Sequence, residues 1–538
     1  MSWPDLGPPR HPTRRDVLAT AVGGTLAALT GCGDARVPDA GRVAPDGPEV
    51  THAEAARHRS GAGTVDARLE PRADSVDLGG RTVRTWAYDG AVPGPLLRGD
   101  VGDQMRVRLT NRLPAPTTAH WHGVALRNDA DGVPHLTQPP VPPGCRHEYA
   151  FTLPRPGTYW YHSHLGVQRD RGLYGPLIVD DPHEPGDYDV EFVVVIDDWI
   201  DGAGTTPDGL LHELRSHPNC WRYQTPVRAG AVGGAGAARP TPRRTTDARG
   251  APLMGIPPGM GGEIDYPYHL INGRLPTAAA TLRAKAGQLA RIRLINASAA
   301  TVYRVALGGH RLTVTDSDAY PIVPVTVDTL DIASGERYDV TTRLDDGVFP
   351  LTAVAQGKQA QARCLVRTGA GTVPDVDAQP RELDGRRLRL RDMTAAESVR
   401  LPAVAPDVTH DLWFDGDMTA FTWKIDGNAY TADDPFHGIR PLGVHLGDRV
   451  RLRLNNQTPM YHPIHLHGHT YQIRGYGTAG EPGDTAMHHG ARKDTVLIAP
   501  NQRVTVDLVA DNPGQWLTHC HNAYHLAAGM ATILSYRR

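Results

Sequence analysis

Val101-Gly-Asp-Gln-Met-Arg-Val-Arg-Leu-Thr-Asn111 is a glycine turn followed by apolar/basic alternation, and the pattern returns twice. The second copy is Ala286-Gly-Gln-Leu-Ala-Arg-Ile-Arg-Leu-Ile-Asn296 and the third is Leu446-Gly-Asp-Arg-Val-Arg-Leu-Arg-Leu-Asn-Asn456. Alternation of this period marks a strand with one buried face. Each copy is followed by a second turn-plus-strand segment: Pro143-Gly-Cys-Arg-His-Glu-Tyr149, Ser334-Gly-Glu-Arg-Tyr-Asp-Val340 and Asn501-Gln-Arg-Val-Thr-Val506. The copies start 185 and 160 residues apart, too far for a solenoid and right for duplicated β-domains. Three β-sandwich domains in series are expected, over about 63–183, 184–372 and 385–538 of the 538 residues. Low aromatic content (6%) with 58 Gly and 46 Pro suits short strands and many turns. Residues 201–262, which include a Gly/Ala-rich run from Arg228 to Pro240, read as a long flexible loop of the middle domain.

The formal charge is −3, with no long single-sign run, so no nucleic-acid partner is expected. Histidine is the outlier. With 26 histidines, chance gives about one His-x-His triplet; the chain has five, at 120/122, 162/164, 465/467, 467/469 and 519/521. Four of these fall at matching points of the first and third repeats. His120-Trp-His122-Gly matches His465-Leu-His467-Gly, and His162-Ser-His164 matches His519-Cys-His521. The middle repeat has none at either point. On a strand each pair sends both imidazoles to one face, so the four pairs supply eight nitrogens that meet at the seam between the first and last domains.

Thr518-His-Cys-His-Asn-Ala-Tyr-His-Leu-Ala-Ala-Gly-Met530 adds sulfur to this pattern. Cys520 lies between two cluster histidines, so it points the other way, into its own domain, toward His462, His525 and Met530. Two imidazoles, a thiolate and a weak thioether are the ligand set of a blue-copper electron-transfer centre. Zinc would not explain the methionine or the eight separate imidazoles. Iron would usually bring carboxylates, and none lies among the pairs in the sequence.

These residues resemble the multicopper oxidases of the three-domain, laccase-like kind. The resemblance rests on His120-x-His122-Gly, His162-Ser-His164, His462-x-x-His465-x-His467 and His519-Cys520-His521-x-x-x-His525-x-x-x-x-Met530, and spans nearly the whole mature chain. It implies three cupredoxin-like Greek-key domains in an all-β fold. It implies a type 1 copper on His462, Cys520 and His525 with Met530 axial, and a type 2 copper on His120 and His465. It implies two type 3 coppers, one on His122, His162 and His521 and one on His164, His467 and His519. The implied reaction is one-electron oxidation of a donor coupled to reduction of dioxygen to water. Asp131, in Asn128-Asp-Ala-Asp-Gly-Val-Pro134, resembles the family's proton-relay acid and reads equally as a turn residue. Many bacterial members carry an acid directly after the last type 1 histidine; this chain has Leu526.

The donor is either a phenol or aromatic amine bound near an exposed type 1 imidazole edge, or Cu(I), with a role in copper tolerance. Met460 can bind Cu(I) or simply pack; Met254 and Met260 lie in the long loop. Two other readings are a copper-free cupredoxin scaffold at the cell envelope and a copper nitrite reductase. Thr13-Arg-Arg-Asp-Val-Leu18 is a twin-arginine pattern, and Leu29-Thr-Gly-Cys32 resembles a lipobox. Residues 1–32 are therefore expected to be a signal and 33–62 a flexible tether. A monomer is expected, anchored through a lipidated Cys32 on the outer face of the cytoplasmic membrane. Cys145, Cys220 and Cys364 are expected to be buried thiols, with a disulfide among them as the other possibility.

Overall fold

The computed structural model describes residues 41–184, 188–216, 262–417 and 420–538. The twin-arginine and lipobox segment, Cys220, Met254 and Met260 lie outside these residues. No helix among the described residues is long and apolar enough to cross a membrane.

The three copies of the opening motif form Gln104–Thr110, Leu289–Asn296 and Arg449–Asn456. Each pairs parallel with an earlier strand of its own domain, Thr64–Leu69, Val190–Trp199 or Val408–Asp417, and antiparallel with the strand of the second signature, giving the same three-strand core in each domain. Opposing sheets complete three sandwiches. The first adds Leu97–Asp100, Tyr174–Asp180, Gly157–His162 and His120–His122 as its second sheet. The second pairs a six-stranded with a five-stranded sheet, and the third a seven-stranded with a five-stranded sheet.

The turn ahead of each second-signature strand places Gly144, Gly335 and Asn501 in the left-handed region. Asparagine is the side chain that tolerates this conformation best after glycine, which explains the missing glycine in the third copy. The asparagine ending each first motif does a second job. Asn111 Nδ2 donates to the carbonyls of Ala115 and Val141, Asn296 Nδ2 to those of Thr301 and Ile332, and Asn456 Nδ2 to those of Met460 and Ile498. In the outer domains this clamp fixes the loop that leads into the histidine strand, at His120 and at His462.

The alternation holds in the first copy, where Met105, Val107 and Leu109 are buried and Arg106 and Arg108 exposed. In the middle copy both faces are buried. Arg291 and Arg293 reach Asp339 at 2.6 and 2.9 Å, and Arg293 also donates to Thr158 of the first domain. The basic face of this strand is an interdomain surface, not a solvated one.

Four expectations change. The tether 33–62 contains an ordered element, a helix over Pro48–Arg57. Val43 and Val50 bury themselves, and Arg57 donates to Asn512 at 2.7 Å, so a short polar segment finds enough contact to dock. The 201–262 segment begins with a helix, Pro207–Ser216, whose Leu210 and Leu214 join the core. Residues following 385 pack Leu388 and Met393 into the middle core, and strands of the third sandwich begin only at Val408. Cys145 is exposed, because it sits at the turn before its strand; Cys364 is buried, and both are free thiols.

Candidate metal centre

Of the eight buried histidines, His120, His122, His162, His465 and His519 lie on short strands, and His164, His467 and His521 lie one or two residues past a strand end. His120 pairs across the sheet with His162, and His465 with His519. The first and last domains then meet ring to ring. His120 stacks on His467 with centroids 3.9 Å apart, and His122 on His465 at 3.8 Å. His467 Nε2 is 3.0 Å from His519 Nε2, and His122 Nδ1 is 3.1 Å from His521 Nε2. The candidate ligand atoms of His122, His162 and His521 fall within 4.8 Å of one another, as do those of His164, His467 and His519, and those of His120, His122 and His465.

The outer nitrogens are mostly occupied by acceptors. Nδ1 of His120 donates to the Asp131 carbonyl at 2.8 Å, that of His162 to the Ser163 carbonyl at 2.9 Å, that of His465 to the Asp494 carbonyl at 3.0 Å and that of His519 to the Cys520 carbonyl at 2.8 Å. This fixes the tautomer and turns the lone pair inward. Nε2 of His120, His162, His164 and His465 is buried with no hydrogen-bond partner among the described residues. Two imidazole nitrogens about 2.0–2.1 Å from one ion sit about 3 Å apart, the spacing of the two nitrogen pairs above. These close nitrogen pairs, with an orphaned Nε2 within 4.8 Å in each three-histidine group, fit metal ions. Burial, reinforced by neighbouring rings and guanidinium groups, holds His122, His162, His164, His519 and His521 well below the usual imidazole range, and His467 at about 3, so the lone pairs are free at neutral pH.

Cys520 faces the opposite side of its strand. Its Sγ is 3.5 Å from His462 Nδ1 and 3.6 Å from His525 Nδ1, and those two nitrogens are 3.1 Å apart. Met530 is buried, and its main chain bonds both Cys520 and His525. Burial pushes the Cys520 thiol up, because a bare thiolate is penalised there; a soft cation bound to the sulfur would neutralise that charge. Thr458 Oγ1 takes the outer nitrogen of His462 at 2.7 Å. Glu263 Oε1 stands 3.1 Å from the outer nitrogen of His525, and both type 1 candidate imidazoles are fully buried rather than edge-exposed. Met460 is packed in the core.

Carboxylates do sit among the pairs, contrary to the expectation from sequence. Asp131 bridges the seam: Oδ2 is 2.9 Å from His467 Nδ1 and Oδ1 is 3.1 Å from His120 Nδ1. It is both a turn residue and a ring partner. Gly132 beside it has φ 78°, and a Cβ there would lie 1.9 Å from the Ala119 carbonyl oxygen, so only glycine lets the loop approach. Asn128 exchanges two hydrogen bonds with Gln515, which stitches the same loop to the last domain. Asp494 is the second acid, 3.3 Å from His122 Nε2 and 3.4 Å from His465 Nδ1.

The middle domain supplies none of these candidate ligands among its described residues and still supports the nest. Arg337 grips Asp494 in a bidentate pair at 2.8 and 2.6 Å. Ser334 Oγ lies 2.9 Å from His521 Nδ1, and Arg169 of the first domain donates to the same nitrogen at 2.6 Å. None of Arg169, Glu263, Ser334, Arg337 and Asp494 carries a local signal. Their partners around the two sites lie mostly in other domains.

Multicopper oxidase family models match residues 72–184, 254–370 and 404–537. The chain is 45% identical to the multicopper oxidase MmcO of Mycobacterium tuberculosis, over 98% of this chain and 97% of that protein. It is 28% identical to a copper resistance protein A homolog of Pseudomonas syringae pv. tomato, over 85% and 89% of the two chains. Among solved structures, the laccase of Botrytis aclada superposes with a TM-score of 0.68 at 25% identity, covering 88% of each chain. The chain belongs to the multicopper oxidase family. It is an oxidoreductase that uses oxygen, and its three sandwiches are cupredoxin-like.

Proposed function

We propose that this chain holds one type 1 copper on His462, Cys520, His525 and Met530, and three further coppers in the histidine nest. The type 2 ion is assigned to His120 and His465, one type 3 ion to His122, His162 and His521, and the other to His164, His467 and His519. The observation that carries this reading is the set of four orphaned Nε2 atoms inside an eight-imidazole nest, one peptide bond from Cys520 on either side. Copper in these places supplies one-electron chemistry at the thiolate and four-electron reduction of dioxygen to water in the nest. The chain's own part is to hold the rings, exclude water and anchor the outer nitrogens. A copper-free scaffold would not need inward lone pairs, and a nitrite reductase would not need eight imidazoles. Metal analysis tests the three: about four coppers per chain, about two, or none.

For the donor, the carboxylate beside His525 favours a cation, and Cu(I) is the cation this reading selects. Burial would raise the Glu263 carboxyl, but His525 beside it holds it below the usual range. Glu263→Gln is expected to raise KM for Cu(I) about tenfold or more, the value of a hydrogen bond to a charged group, and to leave KM for a neutral phenol near its starting value. Equal shifts with both donors would reject Cu(I) as the preferred donor. The names of the relatives, copper resistance protein A and laccase, point to both donor classes.

Asp131 is proposed as the acid that serves proton delivery to the nest, given Leu526 after the last type 1 histidine. Asp131→Asn is expected to lower turnover about 10–100-fold while the type 1 colour stays. A loss of turnover with no change in its pH profile or solvent isotope effect would make Asp131 a ring anchor only. Copper tolerance, export by the twin-arginine route, anchoring through Cys32 on the outer face of the cytoplasmic membrane and a monomeric state complete the proposal.

A further inference from the structure

Trp423 lies on Thr422–Ile425, a strand that supplies no ligand in the assignment above. It is fully buried. Its ring is 4.2 Å from the His525 ring, tilted by 36°, and 5.1 Å from the His462 ring in an edge-on arrangement. The indole Nε1 has no hydrogen-bond partner among the described residues, so the side chain is placed by its faces and not by its N–H.

The surrounding chain makes room for this ring. Gly416 is its cross-strand neighbour, and a Cβ there would stand 2.2 Å from the indole Cε3. Any larger residue at 416 would lift the indole off the strand and away from the imidazoles. The main chain of Trp423 is also tied to the turn before Met530. Its N–H donates to the Ala528 carbonyl at 3.1 Å, and a Cβ on Gly529 would meet its carbonyl oxygen at 2.8 Å. One residue thus covers two imidazoles and braces the segment that carries the thioether.

We infer that Trp423 is a positioning residue that seals the type 1 site from water and thereby sets its reduction equilibrium. The inference rests on the assignment of His462, Cys520 and His525 to that site. A dry apolar cover disfavours the more highly charged oxidised centre and holds the equilibrium toward reduced copper. Water admitted in place of the indole favours the oxidised form.

The test compares Trp423→Phe with Trp423→Ser in fully metallated enzyme, poised against a reference one-electron couple and read at the thiolate-copper band. The serine variant is expected to shift the equilibrium constant about tenfold or more toward oxidised copper, and the phenylalanine variant to stay near the parent. Trp423→Gln, which fills more of the volume, carries the same expectation as serine if serine does not load copper. An unchanged equilibrium in a polar variant with full copper and full colour overturns the inference, and so does an equal shift in phenylalanine. Absence of the thiolate band in the parent enzyme would instead reject the type 1 assignment itself.

Discussion

Arg337→Met will destabilise the protein by about 3–5 kcal/mol, the usual result of removing one partner of a buried ion pair. Arg337 and Asp494 are both fully buried. Removing the guanidinium leaves a carboxylate with no counter-charge between two nest histidines, and also frees the carbonyls of Thr158 and Gly335. Burial by itself would raise the Asp494 carboxyl; Arg337 outweighs it and holds the group below the usual carboxylate range. The sign follows from a depressed folded value. The stability this pair contributes is complete above the unfolded carboxylate value of about 3.9, and is lost as pH falls further. The measurement is the denaturant midpoint together with copper retained per chain. Copper should leave the nest first, with the type 1 colour retained. Adding Asp494→Asn to the variant should restore much of the loss, since the orphaned charge is then gone. A change below about 1 kcal/mol would mean that the pair is no more than a surface bridge in energy.

Cys520→Ser is expected to abolish the visible thiolate band and to lower turnover with every donor by on the order of a hundredfold or more. Loss of a direct ligand should cost at least as much as loss of a group behind one. The exchange barely alters volume, so the fold and the eight imidazoles on the other face of the strand should persist, with one copper fewer per chain. Serine offers a hard oxygen where burial already disfavours any anion, so it does not replace the soft thiolate. Copper analysis beside oxygen uptake reads both halves of the result. A variant that keeps its colour or its turnover would remove Cys520 from the electron path.

The ligands were legible because strand alternation is local. His-x-His places two rings on one face whatever the rest of the chain does, and a residue between them must point away. The repeat supplied the rest, since matching motifs occupy matching strands. Asp131 was half legible, as an Asp-Gly turn whose second role depends on His467, a residue 336 positions away. Lys493-Asp494 looks like an ordinary charged pair, and its partner Arg337 lies 157 positions upstream. The ordered segment at Pro48–Arg57 was hidden by its tether-like composition, because a few contacts dock it: Val50 in the core, Arg57 on Asn512, and Glu54 accepting from the Thr152 N–H.

From the amino-acid order alone came the three sandwiches, the four imidazole pairs and the opposed direction of the thiol, because each depends on period-two geometry within a few residues. Tertiary structure decided what stands behind those rings: Asp131 and Asp494 on the nest, Arg337 and Ser334 from a domain without ligands, Glu263 and Trp423 on the thiolate site. Those partners are joined by packing between segments far apart in the chain, within and between domains, and contacts between distant strands leave no periodic trace in the chain that makes them.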